Sequence, residues 1–92
     1  MNELVRLHGI VTGRVQGVGF RSFVRRTAMM YGISGWVRNR YDGTVEFIAE
    51  AKRTSLDNFL AMIKKGNRFS NVQSIDCDWL ESEGLNGFDI EY

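Results

Sequence analysis

An α+β fold, one mostly antiparallel sheet of four to five strands with two helices on one face, is predicted by three features of the sequence. Apolar residues alternate with period two in five stretches and recur at helical spacing in two others. Three glycines within seven residues, Gly13-Arg14-Val15-Gln16-Gly17-Val18-Gly19, part the first strand from the first helix, a composition that neither element favours. The 92 residues are expected to form a single domain, 1–92, since domains commonly run to about 100–150 residues and two cores would not fit.

Leu4 to Thr12 reads as the first strand, an interior one, because both parities carry apolar residues: Val5, Leu7 and Val11 on one, Leu4, His8 and Ile10 on the other. After the glycine loop, Phe20, Phe23, Val24, Thr27, Ala28 and Tyr31 share one helical face, with Gly32 where a C-terminal cap belongs. Ile33 to Asn39 reads as a second strand and Thr44 to Glu50 as a third, joined at Tyr41-Asp42-Gly43, a hairpin signal of the Asp-Gly type. Ser55 is a candidate N-cap for a second helix burying Leu56, Phe59, Leu60 and Ile63 and stopped by Gly66. Val72 to Leu80 reads as a fourth strand with Gln73, Ile75, Cys77 and Trp79 on one parity, and Phe88 to Tyr92 as a fifth. The order β-α-β-β-α-β-β is that of a ferredoxin-like sandwich.

A fold of this kind hosts many functions, so function must be argued from sites. One cysteine, Cys77, excludes an intramolecular disulfide, and Cys77 with the single histidine, His8, cannot supply the four ligands of a structural zinc. No metal and no cofactor are expected. Without an apolar run of about 18 residues, or a charged start and cleavage site in Met1-Asn2-Glu3-Leu4, the chain is expected to be cytoplasmic, with no membrane partner. A monomer is the expected state.

The net charge of +1 conceals an asymmetry. Residues 1–41 hold seven arginines, no lysine and only Glu3, a net +6, while residues 42–92 sum to −5. Such a split points to an anionic ligand for the first part, or to charges that pair across one domain. Reliance on arginine favours planar, bidentate recognition of phosphate or carboxylate. A strand that enters a glycine loop and then a helix aims backbone N–H groups at one spot, a cup suited to anions. Arg21 falls in the first turn of that helix, where the dipole disfavours a cation unless an anion joins it. The loop lacks the G-x-x-x-x-G-K-[ST] pattern, and Gly17-Val18-Gly19 is only a fragment of a dinucleotide fingerprint.

The run Gly13-Arg14-Val15-Gln16-Gly17-Val18-Gly19-Phe20-Arg21, then Gly35-Trp36-Val37-Arg38-Asn39 and Asp42-Gly43-Thr44-Val45-Glu46, resembles the acylphosphatase family, and the resemblance extends over essentially the whole chain. It implies hydrolysis of the carboxyl-phosphate bond of small acyl phosphates to a carboxylate and inorganic phosphate. It further implies that Arg21 binds phosphate, that Asn39 orients the attacking water, and that Val15, Gln16, Gly17, Val18, Gly19 and Phe20 form the phosphate cradle with Arg21. One departure concerns the end of the second helix, where members often carry proline after the glycine and this chain has Asn67 and Arg68 after Gly66.

The residues suit that chemistry. A carboxylate whose conjugate acid has a pKa of about 4 leaves as the anion without a general acid. Placement of water and stabilisation of phosphoryl charge are then the main requirements. His8 reads as a sheet-face residue, and Cys77, between two aspartates, as a core or edge thiol. Arg14, Arg38 and Arg40 either widen the positive field or sit solvated at the surface.

Two other readings compete: a non-catalytic phospho-ligand domain, which turnover of acetyl or benzoyl phosphate would separate from an enzyme, and an RNA-binding module. Residues 17–24 echo an RNA-binding consensus, but that consensus belongs on the third strand, which here has no basic residue and a single aromatic, Phe47. No nucleic-acid partner is expected.

Overall fold

Strand pairing sets most of the element boundaries. The computed structural model describes residues 3–92; Met1 and Asn2, part of the N-terminal segment considered above, lie outside the described residues. In chain order the elements are β1 (Leu4–Arg14), α1 (Phe20–Met30), β2 (Ser34–Asn39), β3 (Val45–Lys52), α2 (Arg53–Lys65), β4 (Asn71–Glu81) and β5 (Phe88–Glu91). The sheet order is β4-β1-β3-β2-β5, antiparallel except for the β2–β5 pair, and both helices cover one face. This is the ferredoxin-like arrangement, with β5 added in parallel beyond β2.

The helix-covered face is the core. Leu7 and Val11 of β1, Val37 of β2 and Val45 and Phe47 of β3 meet Val24 and Ala28 of α1 and Leu56, Phe59 and Ile63 of α2, all fully buried. Phe47 and Phe59 pack edge to face with centroids 5.4 Å apart. Gly9, opposite Phe47 in the β1–β3 register, leaves the room that ring fills, and a Cβ there would overlap it.

Several boundaries differ from the sequence expectation for reasons of pairing. The second helix starts at Arg53, not at a Ser55 cap, because β3 stays paired with β1 out to Leu4–Lys52 and passes straight into the helix, leaving Lys52 at the N-cap without a side-chain hydrogen bond. β1 runs on to Arg14, since Gly13 and Arg14 pair with Val72 and Asn71. The register shifts there: Thr12 faces Ser74 and Gly13 faces Val72, so Gln73 is an extra bulge residue. The bulge exposes Gln73, which simple alternation places beside Ile75, and returns Val72 to the core side. Trp79 is 37% exposed at the edge, with the Arg53 guanidinium 3.6 Å from its ring centroid.

The opposite face of the sheet is polar and cross-linked. His8 Nε2 lies 2.7 Å from Glu46 Oε2, and Glu46 Oε1 accepts from Nε and a terminal nitrogen of Arg38, each at 2.8 Å. Burial raises the Glu46 pKa, but the His8 and Arg38 hydrogen bonds outweigh it and hold the carboxyl below its ordinary range. Further along, buried Glu50 accepts three backbone N–H bonds, from Glu83 at 2.6 Å, Gly84 at 3.0 Å and Leu85 at 2.9 Å. Burial pushes Glu50 up, and these three donors with Arg6 pull it further down. Glu50 thereby ties the loop before β5 to the central strand.

Because its folded pKa lies below the unfolded value, the Glu50 anchor contributes fully above roughly pH 4.5 and is lost as pH falls through the folded pKa. Glu50→Gln, which turns an amide NH2 toward backbone donors, is expected to cost about 1.5–3 kcal/mol at neutral pH in urea unfolding. The gap from the parent should narrow below about pH 4, as the parent carboxylate protonates; a constant gap down to acid pH would contradict this account of the anchor.

Candidate active site

The loop between β1 and α1 is built by two glycines in left-handed backbone. Gly17 has φ 72° and Gly19 φ 75°; a Cβ at Gly17 would meet nothing, so the backbone angle and not space demands glycine there. Gly19 is the N-cap of α1, and having no side chain it gives no capping bond; the first turn also holds no acid. The first intrahelical bond runs from Phe23 N–H to Gly19 O at 3.1 Å, leaving the amides of Phe20, Arg21 and Ser22 without intrahelical partners. These donors border a cavity of about 110 Å³ lined by Val15, Gly17, Gly19, Phe20, Arg21, Ser22, Asn39, Ile90 and Tyr92.

Asn39, the last residue of β2, is paired with Val45 and so projects from the helix-covered face, into the same cavity. β1 and β2 are not neighbours; β3 lies between them, which spaces the loop from Asn39 by two strand separations, about 9–10 Å. Gln16 spans that gap. Its Nε2 donates to Arg40 O and Thr44 O, both at 2.8 Å, clamping the loop to the turn that follows Asn39. In that turn Arg40 N–H bonds Thr44 O and Gly43 N–H bonds Arg40 O, and no non-glycine residue has positive φ. It is thus a three-residue loop with Gly43 left-handed, not a two-residue Asp-Gly turn. The Thr44 hydroxyl and N–H bond Asp42 and, against a slight opposing effect of burial and with Arg40 nearby, hold its pKa down.

The cradle residues divide by what they contribute. Val15 and Phe20 bury their side chains in the core and can offer the cavity only backbone. Gln16 and Val18 flank the cavity without lining it, Gln16 as the clamp and Val18 packed against the core. Arg21 reaches across to the C-terminal strand, with a terminal nitrogen 3.5 Å from Glu91 O and its guanidinium 4.9 Å from the Tyr92 ring centroid, and makes no salt bridge among the described residues. Sequence reasoning missed Ser22, Ile90 and Tyr92; only folding brings the last two beside residue 21.

The other candidates lie elsewhere. Arg38 is on the opposite face, bound to Glu46 and stacked on Trp36 at 5.1 Å; Arg25 bonds Phe88 O at 2.9 Å, holding α1 to β5. Arg14 is exposed at the end of β1. His8 is paired with Ile48, three residues along β3 from the partner of Asn39, and so faces away from the cavity. Cys77 is on β4, at the other edge of the sheet, its thiol pushed up by burial and, despite Lys64, by Asp76 and Asp78. A wider groove of about 640 Å³, lined by Arg38, Asn39, Arg40, Tyr41, Asp42 and Tyr92, adjoins the cavity across Asn39 and Tyr92.

The family model described as acylphosphatase matches residues 7–90. An acylphosphatase of Bacillus licheniformis is 50% identical over 84 residues, covering 90% of this chain and 93% of the relative. One of Thermus thermophilus is 42% identical over 85 residues, covering 92% and 97%. The crystal structure of acylphosphatase from Bacillus subtilis superposes with a TM-score of 0.93 at 44% identity, over 96% of this chain and 99% of that one. These matches each cover nine-tenths or more of the chain: it belongs to the acylphosphatase family.

Proposed function

We propose that this chain hydrolyses acyl phosphates, with the phosphoryl group seated on the α1 N-terminus and in the grip of Arg21, and with the attacking water held by Asn39. The observation that carries the reading is the convergence, in one small cavity, of helix-end amides and an arginine that have no hydrogen-bonding or carboxylate partner, respectively, among the described residues, with an asparagine from the end of β2. A helix N-terminus with no cap and no acid favours an anion both by its free N–H groups and by its dipole.

The chemistry follows from what these groups do. The loop and helix amides and the Arg21 fork neutralise charge on the phosphoryl oxygens as it redistributes in the transition state. The Asn39 amide carries both an acceptor and donors, so it can fix a water by its proton and its lone pair at once. In-line displacement puts the acyl oxygen on the far side of phosphorus from that water, where the carboxylate leaves as an anion. The water's proton passes to a phosphoryl oxygen of the substrate, a step motivated by the cavity lining, which among the described residues holds no histidine, aspartate or glutamate.

Turnover of acetyl phosphate or benzoyl phosphate by the purified chain separates this reading from a non-catalytic phosphate-binding domain. Asn39→Ala is expected to lower kcat by about 10²–10³ with the fold intact by circular dichroism, the usual loss on removing a group that acts on the transition state. Arg21→Ala should abolish both binding and turnover, and Arg21→Lys should recover little, because an ammonium lacks the planar fork; near-normal kcat/KM in Arg21→Ala would refute the assignment. With no titrating catalytic side chain, kcat should be nearly flat from about pH 5 to 8, whereas a bell within that range would show that a titrating side chain takes part.

A further inference from the structure

The phosphate loop is held from a second side. α2 is capped by Gly66, and the next four residues close on themselves: Asn67 N–H donates to Ser70 Oγ at 2.8 Å, the Ser70 hydroxyl donates to Asn67 O at 3.0 Å, and Ser70 N–H bonds the same oxygen at 3.1 Å. From this fixed turn Asn67 Nδ2 donates to Val18 O at 2.8 Å, 49 residues away in sequence. Asn67 Oδ1 is buried and has no hydrogen-bond partner among the described residues. Flipping the amide would set that oxygen against the Val18 carbonyl, so only the donating orientation is tenable.

We infer that Asn67 is a positioning residue of the active site, one that aims the Gly19 N–H at the phosphoryl group; the inference rests on the phosphate-cup reading above. In a planar trans peptide the carbonyl of one residue and the N–H of the next point in opposite directions. The 18–19 peptide is trans, and its plane turns about ψ of Val18 and φ of Gly19; the glycine leaves the second of these weakly held by local sterics. Drawing the Val18 carbonyl back toward Asn67 turns the Gly19 N–H the other way, to the cavity side. Asn67 also stands nearest to where a Gly19 Cβ would be, its Nδ2 3.8 Å from that point, so it backs the cradle. A buried oxygen left unpaired is a cost to folding, and such costs persist where the geometry they secure is used.

The test is Asn67→Leu in the full chain, a near-isosteric change that removes the donor to Val18 and the orphan oxygen together. KM for acetyl phosphate and the inhibition constant for inorganic phosphate are expected to rise in parallel by about three- to tenfold, the value of one hydrogen bond, with kcat less affected. The urea midpoint should not fall in proportion, because the buried orphan oxygen is relieved. Ile63→Val serves as the comparison: it loosens the core at the same end of α2 and should lower the urea midpoint while KM and phosphate inhibition stay within about twofold of the parent. Unchanged phosphate affinity in Asn67→Leu would overturn the inference, as would an equal loss in Ile63→Val. If the parent itself neither turns over acetyl phosphate nor responds to inorganic phosphate, the phosphate-cup reading fails first and takes this inference with it.

Discussion

Backbone N–H groups at the start of α1 that no group among the described residues satisfies are the constraint on which the rest of the molecule depends. A helix ordinarily covers such donors with a side-chain cap or an acid in the first turn, and this one has neither. Keeping them open and aimed requires a loop that turns through left-handed glycines, a strand to deliver the loop, and supports that stop it collapsing onto its own donors. β1 supplies the delivery, Gln16 ties the loop to the β2–β3 turn, and Asn67 ties it to the end of α2. The central strand β3, paired on both sides, fixes the span between the loop and Asn39. Glu50 does the same for the third wall, since its three backbone bonds set the loop that leads into β5 and so to Ile90 and Tyr92.

The sheet also sorts charge between its faces. Of the seven arginines in the first 41 residues, Arg6 and Arg38 pair with carboxylates on the face away from the helices, and Arg25 is used on a backbone carbonyl. Arg21, beside the cavity, has no carboxylate partner among the described residues. The asymmetry of sequence charge is therefore partly structural, and alternation along β2 turns Arg38 one way to Glu46 and Asn39 the other way to the cavity. A reaction whose leaving group departs as an anion fits a site that offers a guanidinium, amides and a carboxamide and that, among the described residues, no histidine, aspartate or glutamate lines.

Much of this was legible in the sequence because it is written in local pattern. The two helical stripes, the period-two strands and the glycines before α1 each bring their own geometry, and both chemical residues of the proposed mechanism lie in short motifs at strand and helix ends. What escaped was set by long-range pairing. The start of α2 depends on how far β3 stays bonded to β1, and the parity of Val72 on a bulge that only the β1–β4 register reveals. Gln16 and Asn67 are amides whose partners lie 24 to 49 residues away, and nothing in their local context names a carbonyl as the target. Tyr92 reaches the cavity only because β5 docks beside β2.

The central claim is that the phosphoryl group binds to the backbone amides at the start of α1. Titrating inorganic phosphate into the 15N-labelled chain and following amide shifts tests it most directly. The amides of Gly17, Gly19, Phe20, Arg21 and Ser22 should move along a single saturation curve, with Asn39 reporting the same affinity and His8 and Glu46 unmoved. Shifts centred instead on the groove from Arg38 to Asp42, with the α1 amides still, would contradict the account.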